Sequence, residues 1–271
     1  MLTFALTLLL GSATPPPAPA CAPIFGWEEM LDHTEPEYVV IGEMHGNRES
    51  PQLFLDAVCR TAARGKVVVA LEQSAAHQPE IDAFLASDGG DAARDRFLAS
   101  EMWRGRLHDG RSSEAMFALF EGLRGMVQAG KVARVVAFIP ALDGPYPGPE
   151  KYEAAMADAV RNAGGPGVTV LVFTGNVHAM RVPVPWGSKY MPMAGHLPRE
   201  STVTLDIMST GGESWACSGE PMICGPMKIG GDNGDWRRGV VLHGEEDARY
   251  SGAVHLGVPT NASAPMVPAD D

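Results

Sequence analysis

The chain has 271 residues, 45% hydrophobic and 20% charged, ordinary globular material with enough apolar surface for a large core. Its formal net charge of −12 repels phosphate backbones and argues against nucleic acid as a partner. No apolar run beyond the N-terminus is long enough to span a bilayer, which excludes a polytopic membrane protein.

Leu2–Leu10 is a short apolar stretch, followed by a Pro-rich spacer and Ala18-Pro19-Ala20, a small-x-small signal peptidase site. Residues 1–20 therefore read as a signal peptide, and the protein as periplasmic or secreted, although no Lys or Arg precedes Arg48 to form the usual positive segment. Cys21 directly after the site permits a lipoprotein, but Ala18-Pro19-Ala20 makes a poor lipobox, so lipidation is the weaker reading. Residues 21–271 read as one domain, because nothing in the composition forces a split.

The apolar run Tyr38–Gly42 leads into Gly42-Glu43-Met44-His45-Gly46. Pro51–Arg64 has helical periodicity, with Leu53, Phe54, Ala57, Val58 and Ala62 on one face, and Gly65 stops it. Cys59 lies on this helix and reads as a small core residue. A second apolar run, Lys66–Leu71, ends at Glu72. Gln78–Ala86 and Asp91–Ser100 read as short helices joined by Asp88-Gly89-Gly90. Ser112–Ala129 is the longest helix, capped by Ser112 or Ser113 and buried through Met116, Leu119, Phe120, Leu123 and Met126. Val132–Ile139 is a further strand, Glu150–Asn162 a helix, and Val168–Thr174 a strand running into Gly175-Asn176-Val177-His178. This alternation predicts an α/β fold: a mostly parallel sheet with helices on both faces. Beyond Pro183 Gly and Pro become dense. Short runs at Thr202–Met208, Met222–Ile229, Gly239–Leu242 and Ala253–Leu256 predict antiparallel strands added at one sheet edge, within a β-rich extension over 183–260. Cys217 and Cys224 bracket a Ser-Gly-Glu-Pro turn, so a tight hairpin would bring them within disulfide range. Residues 261–271 look like a frayed tail.

In an open parallel sheet, ligands bind beyond the carboxyl ends of the strands. Glu43, His45, Glu72 and His178 all follow strand runs and so are delivered to one edge. Imidazole nitrogen plus carboxylate oxygen is a ligand set for Zn, Mn or Fe, with His45, His178 and Glu72 as candidate ligands. Such an ion would lower the pKa of bound water and leave a free Glu as base. Without one, His45 would be the base, oriented by Glu43 or Glu72. Gly42 and Gly175 suit positive φ where the chain turns sharply off a strand, and Gly46 suits a close approach of backbone to a ligand. His33, His77, His108, His196, His243 and His255 lack such company and read as surface or loop residues. Ser74 and Ser209 have no nucleophile-elbow context, which excludes a Ser-His-Asp hydrolase.

Val39-Val40-Ile41-Gly42-Glu43-Met44-His45-Gly46, followed by Glu49, resembles the opening motif of erythromycin esterases, with one residue fewer between Glu and His. The two G-x-x-H motifs with Glu72 between them resemble the Tiki/TraB proteins and the ChaN haem-binding lipoproteins, which share one superfamily fold. The similarity covers roughly residues 35–182. A Tiki-like role implies a metal at His45, His178 and Glu72; an esterase-like role implies His45 as general base helped by Glu43 and Glu72; a ChaN-like role implies bound haem. Tyr190, Met191 and Met193 are haem-ligand candidates by residue type alone. Trp103 through Ser112 resembles a stretch between the second and third strands of these proteins, which would bring Asp109, Arg111 and Trp103 to the substrate, with Arg111 able to grip an anion bidentately. Such relatives often place an acid directly after the third strand. Here the chain reads Phe138-Ile139-Pro140, so Asp143 would have to supply it from the loop. The resulting expectation is an exported hydrolase acting on an ester or amide in a small molecule or peptide, with a periplasmic haem or iron binder as the alternative.

Overall fold

The computed structural model describes residues 21–104, 109–220, 222–232, 234–244 and 249–267. The expected signal peptide, His108 and the last four residues of the expected tail lie outside the described residues.

The order is α1 (Trp27–Thr34), β1 (Tyr38–Glu43), α2 (Glu49–Ala62), β2 (Lys66–Ser74), α3 (Gln78–Ala86), α4 (Asp91–Leu98), α5 (Glu101–Arg104), α6 (Glu114–Gln128), β3 (Val132–Ile139), α7 (Pro149–Ala163) and β4 (Val168–Gly175). Then come β5 (Thr202–Met208), β6 (Gly212–Ser218), β7 (Ile223–Ile229), β8 (Gly239–Leu242) and β9 (Gly252–His255). Seven strands form one sheet in the order β3-β2-β4-β1-β5-β9-β8. The C-terminal strands do extend one edge, and β8 is antiparallel there. However, β5 and β9 continue the parallel run, although no α-helix among the described residues links them to β4 or to each other. β6 and β7 leave the sheet and pair with each other as a separate antiparallel ribbon.

The strands β1, β2 and β4 are β-branched and apolar on both faces because helices or helix-like segments cover both. Val39, Ile41, Val67, Val69, Leu71, Leu171 and Phe173 pack against one side with Phe54, Leu119 and Phe120 from α2 and α6. The alternate residues Val40, Val68, Ala70, Val170 and Val172 pack against Met156, Ala157 and Val160 of α7. This alternation is the two-residue period of a strand buried on both sides. Ser113 caps α6, its hydroxyl accepting from the Met116 N–H at 3.3 Å.

Cys59 is bonded to Cys21, not a free core thiol, which also removes the Cys21 sulfur from any lipid anchor. The Cys217–Cys224 bond is present as expected. Two disulfides point to an oxidising compartment, and no helix among the described residues is long and apolar enough to cross a membrane. The segment from 261 to 267 is not frayed. Ser263 is fully buried, its N–H donates to the Gly46 carbonyl at 2.8 Å, and its hydroxyl accepts from the Ala115 N–H at 3.0 Å. His255 is not a surface residue: it is buried and stacked on Trp236 at 4.1 Å between ring centroids.

Candidate active site

β1, β2 and β4 are adjacent and parallel, so their carboxyl ends bring Glu43, Glu72 and Gly175 to one edge. The turn after Gly175 then swings His178 back over that edge. Glu72 is the hub. Its Oε2 accepts from the Thr174 hydroxyl at 2.6 Å and from the Gly175 N–H at 2.5 Å. Its Oε1 accepts from Arg111 Nη1 at 3.1 Å and lies 3.6 Å from His45 Nε2 and 3.8 Å from His178 Nε2.

Each histidine is oriented from behind by its own carboxylate. His45 Nδ1 lies 2.9 Å from Glu43 Oε1, and His178 Nδ1 lies 2.8 and 2.9 Å from the two oxygens of Glu153. A carboxylate on Nδ1 fixes the ring and directs Nε2 outward, so both Nε2 atoms face the same oxygen of Glu72. Arg111 is held bidentately by Asp109, with Nη2 donating to Oδ2 at 2.6 Å and Nε to Oδ1 at 3.2 Å. Beside this centre lies a cavity of about 270 Å³ lined by Glu72, His77, Glu101, Asp109, Arg111 and Tyr152.

The electrostatics follow from this packing. Burial opposes a charge on His45, but the Glu72 charge and hydrogen bonds to Glu43 and Glu72 outweigh it and raise its pKa to about 10. His178 also moves up: burial opposes its charge, and Glu153 and Glu72 overcome that. Burial would raise Glu72, yet His45, His178 and Arg111 hold it well below the usual carboxylate range. Glu43 moves up, because burial outweighs its bond to His45; its second oxygen is buried without a hydrogen-bond partner.

All four strand-edge residues thus meet, and Asp109 and Arg111 join them. Trp103 does not reach the crevice. It is fully buried against Phe97, Phe117 and Phe120, as hydrophobic packing demands of a large ring. Asp143 is exposed in its loop, and the third carboxylate comes instead from Glu153 on α7. Neither Gly42 nor Gly175 needs positive φ; what they lack is room. A Cβ on Gly42 would meet Asn176 Cα at 2.8 Å, and one on Gly175 would lie 3.2 Å from His45 Nε2. Met193 is fully buried in the core, and Met191 donates its N–H to Glu150, both by packing of the loop over α7.

No protein-family model and no curated protein matches the sequence. Solved structures do match. An erythromycin esterase mutant in its open conformation is 12% identical, with a TM-score of 0.63 over 90% of this chain and 95% of that one. A succinoglycan biosynthesis protein is 11% identical, with a TM-score of 0.66 over 90% and 93%. The chain shares the fold of these proteins. At such identities the likeness concerns fold alone.

Proposed function

We propose that the protein is an exported hydrolase that cleaves an ester or amide bond in a small molecule or peptide, using His45 and His178 as its proton carriers. The observation that carries this reading is the pair of histidine–carboxylate dyads presenting their Nε2 atoms to one oxygen of Glu72. His45, once neutral, takes a proton from water at Nε2 while the water oxygen bonds to the substrate carbonyl carbon. Glu43 accepts from Nδ1 and stabilises the imidazolium that forms. His178, kept protonated by Glu153 and Glu72, gives its Nε2 proton to the departing oxygen or nitrogen as the scissile bond breaks. Arg111, braced by Asp109, keeps Glu72 anionic and fixed between the two rings.

In this reading the centre works without a metal. Glu72 has both oxygens engaged, and the Arg111 guanidinium stands where a divalent cation on Oε1 would be repelled. The experiment is a screen of the purified protein on p-nitrophenyl esters and peptide amides beside His45→Ala. Turnover by the wild type, abolished in a variant with an unchanged circular dichroism spectrum, is the expected result. Retained turnover in the variant would sink the proposal.

A further inference from the structure

The β6–β7 ribbon stands outside the main sheet, yet its first strand lies along the turn that carries His45. Ser214 is buried, and its hydroxyl donates to the His45 carbonyl oxygen. Trp215 donates its N–H to the Gly46 carbonyl at 2.7 Å. Gly46 sits at φ +86°, and a Cβ there would fall 2.1 Å from the Trp215 carbonyl oxygen, so strand and turn meet backbone to backbone. Three residues beyond Ser214, Cys217 is paired across the ribbon with Cys224 and bonded to it. A two-stranded ribbon alone is marginally stable in water, and a covalent cross-link restricts its alternatives.

We infer that the β6–β7 ribbon is a clamp on the His45 turn, with Ser214 as the positioning residue and the Cys217–Cys224 bond holding the strand that presents it. Fixing the His45 carbonyl fixes the direction in which its side chain leaves the backbone. That direction keeps Nδ1 on Glu43 and Nε2 toward Glu72. The consequence for turnover rests on the hydrolase reading; the clamp itself does not.

The test compares Ser214→Ala and Cys217→Ser/Cys224→Ser with a control, Cys21→Ser/Cys59→Ser, which removes the other disulfide. The first readout is the downfield proton NMR signal of the His45 Nδ1–H bonded to Glu43, assigned by its loss in His45→Gln. It is expected to be sharp in wild type and control, and broadened or lost in both clamp variants. The second readout is p-nitrophenyl acetate hydrolysis, where both clamp variants are expected to lose about 10- to 100-fold in kcat with KM unchanged, since displacement of about 1 Å costs on that order. The inference is overturned if both clamp variants keep the signal, if the control loses it equally, or if the wild type never shows it. Should the wild type fail to hydrolyse the ester, the hydrolase reading fails and the NMR signal alone decides the clamp.

Discussion

Replacing Glu153 with alanine removes a buried carboxylate that touches two donors. Its oxygens lie 2.8 and 2.9 Å from His178 Nδ1, and Oε2 also accepts from the Met193 N–H at 2.7 Å. Loss of a charge-assisted bond costs about 1.5–3 kcal/mol, and a buried N–H left without an acceptor costs about 1–3 kcal/mol. The two together predict destabilisation of about 2.5–6 kcal/mol, a range that contains the roughly 3–5 kcal/mol of breaking one side of a buried ion pair. Glu153→Gln preserves the shape and one acceptor, so it should cost only about 1–2 kcal/mol. Urea unfolding of the three proteins at neutral pH measures both values. In parallel, an NMR titration should show the His178 pKa lower in each variant, because burial then acts on that ring with less opposition. A Glu153→Ala protein within about 1 kcal/mol of wild type would refute the reasoning, since the bonds would then contribute little beyond what solvent replaces.

Other consequences can be checked independently. The His45 pKa is raised from 6.5 to about 10 on folding, so its stabilising effect is fully present below about 6.5 and is lost as pH rises through about 10. Thermal melts across that window should fall more steeply for wild type than for His45→Gln; equal slopes would contradict the assignment. Cys21 and Cys59 are separated by 38 residues, and the chain-entropy model assigns such a loop about 4 kcal/mol. Cys21→Ser/Cys59→Ser should therefore lower unfolding stability by up to that amount, and no change would mean the bond does not form in solution. Elemental analysis of untagged protein should find no stoichiometric Zn, Mn or Fe. Metal at one equivalent, absent from both His45→Ala and His178→Ala, would replace the metal-free mechanism.

Glu43, Glu72 and His178 were legible because each follows a β-branched run, and adjacent parallel strands must end on one side. The sequence alone could not assign Glu153 to them, since its partner His178 is 25 residues away. One signal was present. Glu153 shares the buried stripe of α7 with Met156, Ala157 and Val160, where a carboxylate is costly unless paired. Strand direction after β4 was less legible, because parallel neighbours are normally announced by a crossover helix and β5 and β9 are reached through loops. The Cys21–Cys59 bond was hidden for a similar reason, since only tertiary packing brings those positions together.

Two carboxylates of the centre, Glu72 and Glu43, are given separate roles by their surroundings. Glu72 is surrounded by positive charge from His45, His178 and Arg111, and its proton affinity is depressed despite burial. Glu43 is buried with one oxygen unbonded, and burial, helped by the nearby Glu72 and Asp109 charges, raises its proton affinity against the pull of His45. A proton on His45 therefore sits between a strongly held anion in front and a weaker one behind. In the resting protein this favours the imidazolium. A substrate carbonyl entering between His45 and Glu72 would weaken the contact that most supports that charge, and lower the His45 pKa toward the range in which it can accept a proton. Substrate binding and activation of the base would then be the same event. On that argument kcat/KM, which reports the free protein, should keep rising with pH well above neutrality, whereas kcat should level off at lower pH. Profiles that level off together near pH 7 would show instead that Glu72 does not govern the protonation of His45.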